Sequence, residues 1–322
     1  MKILITGVAG FIGFSFAEYL LKNSNKLKVH GIDNMDDYYS VKLKKRRLQL
    51  LKKYKNFSFK KIDITDKKKI QKYINLNKFN KIFHFAAQAG VRYCLENPLK
   101  YIKVNIFGFL NIIQAVRDNK IKKFFYASSS SVYGEVEKFP IKEDTNLNPK
   151  NIYGNTKKIN EFIAKYYFKN FKVSSVGLRF FTIYGKWGRP DMLLIKLLQS
   201  QKKNKSIYLN NKGNHYRDFT SINNVNIILN KLMRKNIYGS QVFNICSGKP
   251  IFILDIIKLI EKKAGNIKKI ATVKNPADVY KTHGCNKKIL NYLKLKKIDV
   301  KYEKNIISLI NWFYQKKIYK FL

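Results

Sequence analysis

Tyr153 and Lys157, in the segment NIYGNTKK, stand four residues apart. On a helix that spacing puts both side chains on one face. An ammonium beside a phenol favours the phenolate, so such a pair can act as a general base near neutral pH. It also arises by chance on lysine-rich helices and gains meaning only from its surroundings. A second cluster, YASSSSVYG (126–134), holds four consecutive serines, Ser128 to Ser131. Serine runs usually serve as flexible linkers. Here the run closes KKFFYAS (122–128), an apolar stretch that reads as a strand, so the hydroxyls fall at a strand's carboxyl end. A third cluster is TGVAGFIG, where Gly7, Gly10 and Gly13 follow the apolar run KILIT. Glycines between a strand and a helix let the backbone turn sharply and approach a pyrophosphate, which the helix N-terminus attracts.

Asp33 ends the next apolar run, where an acid about 20 residues past the glycines can bind the ribose hydroxyls of an adenosine. A carboxylate there repels a 2′-phosphate, which favours NAD over NADP. Asp63, in KIDI (61–64), either borders the adenine or caps the helix that follows. FAAQAG (85–90) supplies small residues that let a cofactor lie close.

The elements that must position these clusters follow from the apolar pattern. Strands are predicted at 2–6, 28–32, 57–62, 81–85, 122–128 and 174–180, with helices near 11–23, 40–54, 66–76, 98–118 and 152–169. This alternation predicts an α/β fold, a doubly wound parallel sheet of Rossmann type that binds ligands at the carboxyl ends of its strands. After about residue 183 the order loosens into helices near 191–203, 223–235, 252–264 and 304–317 around a strand at 241–245. The expected division is a nucleotide-binding domain over 1–182 and a smaller substrate-binding lobe over 183–322, whose segments can interleave.

The net charge of +45 rests on 57 lysines and 8 arginines spread over all 322 residues. Spread of this kind, with abundant Asn and Ile, reads as compositional bias at exposed sites, so nucleic acid is not expected as a partner. No apolar run reaches the ~18–20 residues of a membrane helix, and the N-terminus runs straight into a strand rather than reading as a signal peptide. Cys94, Cys246 and Cys285, like the four histidines, lack metal-ligand spacing. Reduced thiols, no metal and a cytoplasmic location are the expectation.

Glycine triplet, strand-end serine and Tyr-x-x-x-Lys in this order resemble the extended short-chain dehydrogenase/reductase family over essentially the whole chain. Within that family, AAQAGVRYCLENP (86–98), YASSSSVYG, LRFFTIYGKWGRPDM (178–192) and RDFT (217–220) look like UDP-glucuronate 4-epimerases. The resemblance implies an NAD-dependent isomerase that interconverts UDP-glucuronate and UDP-galacturonate. By that likeness Tyr153 is the base, and Lys157 tunes it and holds the nicotinamide ribose. Ser129, four positions before the tyrosine of VYG, bonds the sugar O4. NAD would lie along Gly7, Gly10, Phe11, Ile12 and Gly13, then Asp33, Asn34, Asp63 and Ile64. It would continue past Ala86, Ala87, Gln88 and Asn105 to Ser128 and Phe181 beside the catalytic set. The UDP-sugar would meet Arg92, Ser129, Ser130 and Ser131. Thr182 and Arg189 would lie near the carboxylate, Arg217 on the diphosphate and Asp278 on the nucleotide side. A homodimer through the helices near 98–118 and 152–169 is also implied.

In that chemistry C4 gives hydride to NAD+ as the base removes the O4 proton, and the 4-keto sugar swings about its diphosphate before taking the hydride back. A uronate oxidised at C4 is a β-keto acid, so its carboxylate must be kept from standing perpendicular to the ketone, where it would leave as carbon dioxide. The chain departs from the family pattern at Lys186, Ser221, Asn223 and Asn224 and through PADVYKTHGC (276–285). Three rival reactions stay open. A 4-epimerase of neutral or N-acetylated UDP-hexoses would give Arg189 no anion. A UDP-glucuronate decarboxylase shares the first step. A 4,6-dehydratase would carry an Asp-Glu pair where Ser130 and Ser131 stand. A non-catalytic dinucleotide- or polyanion-binding protein of the same fold would have no use for Ser129, Tyr153 and Lys157 together.

Overall fold

KILIT and KVHGID are short, apolar and rich in branched side chains, and they form adjacent parallel strands β1 (Lys2–Thr6) and β2 (Lys28–Asp33). They belong to a computed structural model that describes every residue except Arg92, Lys274, Pro276 and Ala277. Four further strands follow: β3 (Phe57–Lys61), β4 (Lys81–His84), β5 (Lys123–Ser129) and β6 (Ser175–Phe180). The crossovers between them carry helices α1 (Phe11–Asn23), α2 (Val41–Leu51), α3 (Lys67–Asn77), α4 (Tyr93–Glu96), α5 (Pro98–Tyr101), α6 (Gly108–Asp118) and α7 (Ile152–Phe171). Beyond β6 lie strands β7 (Thr182–Tyr184), β8 (Ile207–Leu209), β9 (Tyr216–Ser221), β10 (Ser240–Ile245), β11 (Pro250–Phe252) and β12 (Lys269–Ala271). Their helices are α8 (Leu193–Lys203), α9 (Ile222–Arg234), α10 (Ile253–Ala264), α11 (Lys287–Leu293) and α12 (Tyr302–Gln315).

The large sheet has seven parallel strands in the order β10-β6-β5-β4-β1-β2-β3. Order reverses at β1, so the crevice at the carboxyl ends of β1 and β4 is where a doubly wound sheet takes a ligand. Alternate side chains feed two cores. Ile3, Ile5, Phe83 and Phe125 pack with α1 and α9, and the Phe83 and Phe125 rings stack at 4.4 Å. Leu4, Ile82 and Phe124 pack with Ile70, Ile74, Ile112 and Val116 on the other face. Burying each such side chain contributes about 1.5–3 kcal/mol, so both covers are needed and the strands read as continuous apolar runs. A third core joins α8, α10 and α12 around Leu197, Leu198, Ile256 and Phe313.

Two expectations change. The strand predicted at 241–245 as part of the smaller lobe is β10, the outer strand of the large sheet beside β6. Its Phe243 and Ile245 are buried with Val176 and Leu178, and that apolar edge, not sequence proximity, decides its partner. The helix predicted over 98–118 is continuous only in outline. A π-helical turn, Ile102–Phe107, separates α5 from α6, and it contains the buried Asn105. Such turns replace the regular hydrogen-bond ladder and occur often at functional sites.

Candidate active site

The backbone shapes the first half of the site. Gly7 has φ +70°, and a Cβ on Gly13 would stand 2.3 Å from the Gly7 carbonyl oxygen. Only glycine lets α1 begin that close to the turn. Asp33, at the end of β2, accepts hydrogen bonds from the backbone N–H groups of Ala9 (3.0 Å) and Met35 (2.8 Å). Burial pushes its carboxyl above the usual range, opposed by Lys44, those two N–H groups and Arg47. The crevice beyond is lined by Gly7, Gly10, Phe11, Ile12, Gly13, Asp33, Asn34 and Ile64 on one side. Ala86, Ala87, Gln88, Ser128, Tyr153, Lys157 and Phe181 line the other.

Two residues expected on the cofactor sit one layer back. Asp63 does not reach the crevice wall; it accepts from the Asn34 side chain at 3.0 Å and from the Thr65 backbone at 2.8 Å. Nor does it cap the helix that follows, since Asp66 accepts from the Lys69 N–H at the start of α3. Asn105 is buried behind Gln88, accepting from its N–H at 2.8 Å and donating to its carbonyl at 3.0 Å. The same amide donates to Thr156, whose hydroxyl donates to the Tyr153 carbonyl. A continuous polar chain therefore ties the loop after β4 to the helix that carries Tyr153.

α7 begins one residue before that tyrosine, with the Asn151 side chain accepting from the Gly154 N–H at 2.9 Å. Tyr153 stands in the first turn, where the positive end of the helix dipole favours a phenolate. Lys157 lies one turn on, its Nζ 5.9 Å from the centre of the Tyr153 ring. Lys157 is buried and Tyr153 half-buried, and desolvation governs both. It raises the Tyr153 pKa, opposed by a hydrogen bond with Ser129 and by the charge of Arg189, and it depresses Lys157 to about 7. Burial thus works against the charged forms of both groups, opposing the ammonium–phenolate pair that their spacing suggests. Ser129 itself accepts from the Ser131 N–H at 3.1 Å. Its neighbour Ser128 commits its hydroxyl to Glu161, which in turn forms a buried ion pair with Arg179 at 2.7 Å.

A second pocket opens beside the crevice, lined by Ser129, Ser130, Ser131, Thr182, Arg189, Arg217 and Asp278. All the residues expected on the sugar nucleotide except Arg92, which lies outside the described residues, are therefore brought together. Tyr38, Ala89, Ser129, Tyr153, Phe180, Phe181, Arg189 and Met192 line both spaces and form their common wall. The departures Lys186, Ser221, Asn223 and Asn224 line neither; Ser221 caps α9 and Asn224 holds the Asp299 carbonyl.

Three participants went unrecognised in the sequence. Lys44 and Tyr38 line the crevice from the segment after β2, which carries no pattern. Asp191 lies two residues past Arg189 and takes both its Nε (2.9 Å) and Nη2 (2.7 Å). That acid was legible in GRPD as a possible partner. No cluster of His, Cys, Asp or Glu suited to a metal occurs among the described residues.

The crevice suits a dinucleotide on its own features. It offers a cradle that a Cβ would fill, an acid at its adenosine end, and a buried Gln88 Nε2 that finds no partner among the described residues. The family model described as GDP-mannose 4,6 dehydratase matches residues 4–319. A chain of Methanocaldococcus jannaschii, called an uncharacterised protein, is 40% identical over 98% of this chain and 97% of its own length. The UDP-glucuronate 4-epimerase of Thermodesulfobacterium geofontis is 36% identical over 96% of this chain and 95% of its own. Among solved structures, the UDP-glucuronic acid 4-epimerase of Bacillus cereus in complex with UDP-glucuronic acid and NAD is 32% identical. It superposes with a TM-score of 0.91, covering 98% of this chain and 100% of that one.

Proposed function

This chain belongs to the extended short-chain dehydrogenase/reductases, in the family described as GDP-mannose 4,6 dehydratase, and from that premise we propose that it is an NAD-dependent UDP-glucuronate 4-epimerase. One observation carries the reading: Ser129, Tyr153 and Arg189 stand on the wall shared by the dinucleotide crevice and the sugar pocket. A sugar C4 at that wall faces the cofactor, a base and a guanidinium at once. Relatives at 36% and 32% identity that carry this name support the substrate.

Gly7, Gly10, Gly13 and Asp33 would hold NAD, which supplies a reversible acceptor for the C4 hydride. Tyr153 takes the O4 proton, assisted by Ser129 and by the cationic neighbours that favour its phenolate. Lys157, at about 7, stands between charge states at neutral pH. Arg217 and Asp278 would anchor the nucleotide while the sugar turns, with Asn210, on the same pocket wall, donating to the Asp278 carboxylate at 2.8 Å. Thr182 and Arg189 would hold the carboxylate, since a guanidinium fork matches its two oxygens. Dehydration needs an acid to expel a hydroxyl, and the residues after Ser129 are the serines Ser130 and Ser131.

Arg189 already has an anionic partner in Asp191, which favours a 4-epimerase of neutral UDP-hexoses as the second reading. Incubation with UDP-glucuronate, UDP-glucose and UDP-N-acetylglucosamine, with products identified by NMR, separates the two. UDP-galacturonate supports the first reading. Turnover of only the neutral sugars overturns it, and a UDP-pentose would mean that the carboxylate is lost.

The two-lobe division near residue 182 fits these roles, the first part serving the cofactor and the second mainly the UDP-sugar. A homodimer fits the apolar face of α4 to α7, where Leu95, Leu99, Phe107, Phe162 and Tyr166 are exposed. Phe162→Lys should halve the mass measured by light scattering if that face pairs two copies. No helix among the described residues is long and apolar enough to cross a membrane. The three free, buried cysteines suit the cytoplasm.

A further inference from the structure

The ion pair between Arg189 and Asp191 leaves a feature of the pocket unexplained by neutralisation alone. Asp191 engages Nε and one Nη2 hydrogen, a single edge of the guanidinium. Arginine has five N–H donors in a fixed plane, so the Nη1 and Nη2 end keeps a fork that matches a second carboxylate. Asp191 is itself fixed from another part of the chain. The Tyr38 hydroxyl donates to its Oδ2 at 3.1 Å. Tyr38 packs on Tyr93 with ring centres 4.7 Å apart, and a Cβ on Gly90 would stand 2.3 Å from its hydroxyl. Arg189, Asp191 and Tyr38 all line the sugar pocket, and Arg189 and Tyr38 also line the wall shared with the cofactor crevice.

We propose that Asp191 is a positioning residue, locked by Tyr38, which holds Arg189 with its free fork toward the sugar and so sets the preference for a uronate over a neutral hexose. The proposal rests on the UDP-glucuronate reading and deepens it. An unrestrained arginine loses side-chain entropy on ordering, and a pre-oriented one has already lost it. Asp191 also cancels most of the net charge of Arg189, so recognition depends on the shape of two parallel hydrogen bonds rather than on a free cation. A neutral hydroxymethyl group leaves that desolvated fork unpaired, which is where discrimination arises.

The test is equilibrium titration of UDP, UDP-glucose and UDP-glucuronate into the NAD-loaded protein, with steady-state KM and kcat measured in parallel. Asp191→Asn should weaken UDP-glucuronate about tenfold, the scale of one charge-assisted hydrogen bond, while UDP and UDP-glucose stay within about twofold. KM should rise more than kcat falls. Tyr38→Phe should move the same ratio in the same direction by about threefold. Unchanged or tighter uronate binding by Asp191→Asn overturns the proposal, the latter by making Asp191 a competitor for Arg189. If Asp191→Asn also loses UDP, it is misfolded and Tyr38→Phe decides: an unaltered ratio there overturns the proposal. Arg189→Gln tests the underlying reading separately, since discrimination that survives it removes the carboxylate from Arg189 altogether.

Discussion

At Gly13 a single added carbon would stand 2.3 Å from a backbone oxygen, while at Thr182 a side chain can be trimmed without touching the main chain. The two positions stand for two ways of building a pocket. The dinucleotide crevice is made where β1 and β4 diverge, from main-chain turns fixed by a seven-stranded sheet. The sugar pocket is assembled from side chains on segments as distant as Ser130, Thr182, Arg217 and Asp278. Backbone-built sites fail all at once, because their geometry cannot relax without moving a sheet. Side-chain-built sites fail by degrees, one hydrogen bond at a time, and they can change substrate without changing fold.

The sharpest probe lies where the two regions meet. Tyr153→Phe removes the proposed proton acceptor but little volume, so kcat should fall by about 10²- to 10⁴-fold with nucleotide-sugar affinity nearly intact. A smaller loss in single-turnover kinetics would assign the base elsewhere. Next is Gly13→Ala, for which NAD affinity should drop at least about a hundredfold and stability by about 3 kcal/mol. Fluorescence titration and urea unfolding read both; retained NAD binding would break the contrast drawn here.

Lys157→Met probes the same region through pH. Lys157 is depressed to about 7 in the folded protein and sits near 10.4 when unfolded. Between those values the unfolded chain binds the extra proton, so the native state's Lys157 term becomes more favourable as pH rises. The substitution should therefore stabilise nucleotide-stripped protein at pH 6 to 7, by up to about 4 kcal/mol, with the gain fading toward pH 10. Melting temperatures of both proteins across that range check it, and a pH-independent difference would refute the buried-charge account. The smallest effect belongs to the sugar pocket. Thr182→Ala should raise KM for UDP-glucuronate by about three- to tenfold, with NAD affinity unchanged.

Legibility in the sequence followed the same division. The glycine triplet, Asp33 and the Tyr153/Lys157 pair are local patterns that report on local backbone, and they could be read from spacing. The strand over 241–245 was visible, yet its partner was not, because β6 lies some sixty residues earlier and only a shared apolar edge joins them. The π-helical turn at Ile102–Phe107 was hidden within an amphipathic run. Asp63 and Asp66 lie three residues apart, and only atomic positions tell which one caps α3. In the sugar pocket, the GRPD motif drew attention to Arg189 but not to the acid that holds it. For Tyr153 the spacing shows the neighbouring cation but not the desolvation that opposes it, which is the larger influence on its phenol in the structure.

The late arrival of β10 has a consequence for how the chain is made. Once Phe180 has left the ribosome, six strands of the large sheet are available, but β6 has no neighbour on its outer side until Ser240 to Ile245 are synthesised. At about 5–20 residues per second that gap lasts roughly 3–12 s. Through this interval a strand that the finished fold buries along its whole length presents its unpaired hydrogen-bonding groups to solvent, the situation in which nascent chains join edge to edge. Chaperone demand and heat sensitivity of newly made protein should therefore concentrate in the second half of translation, after the nucleotide fold is otherwise complete.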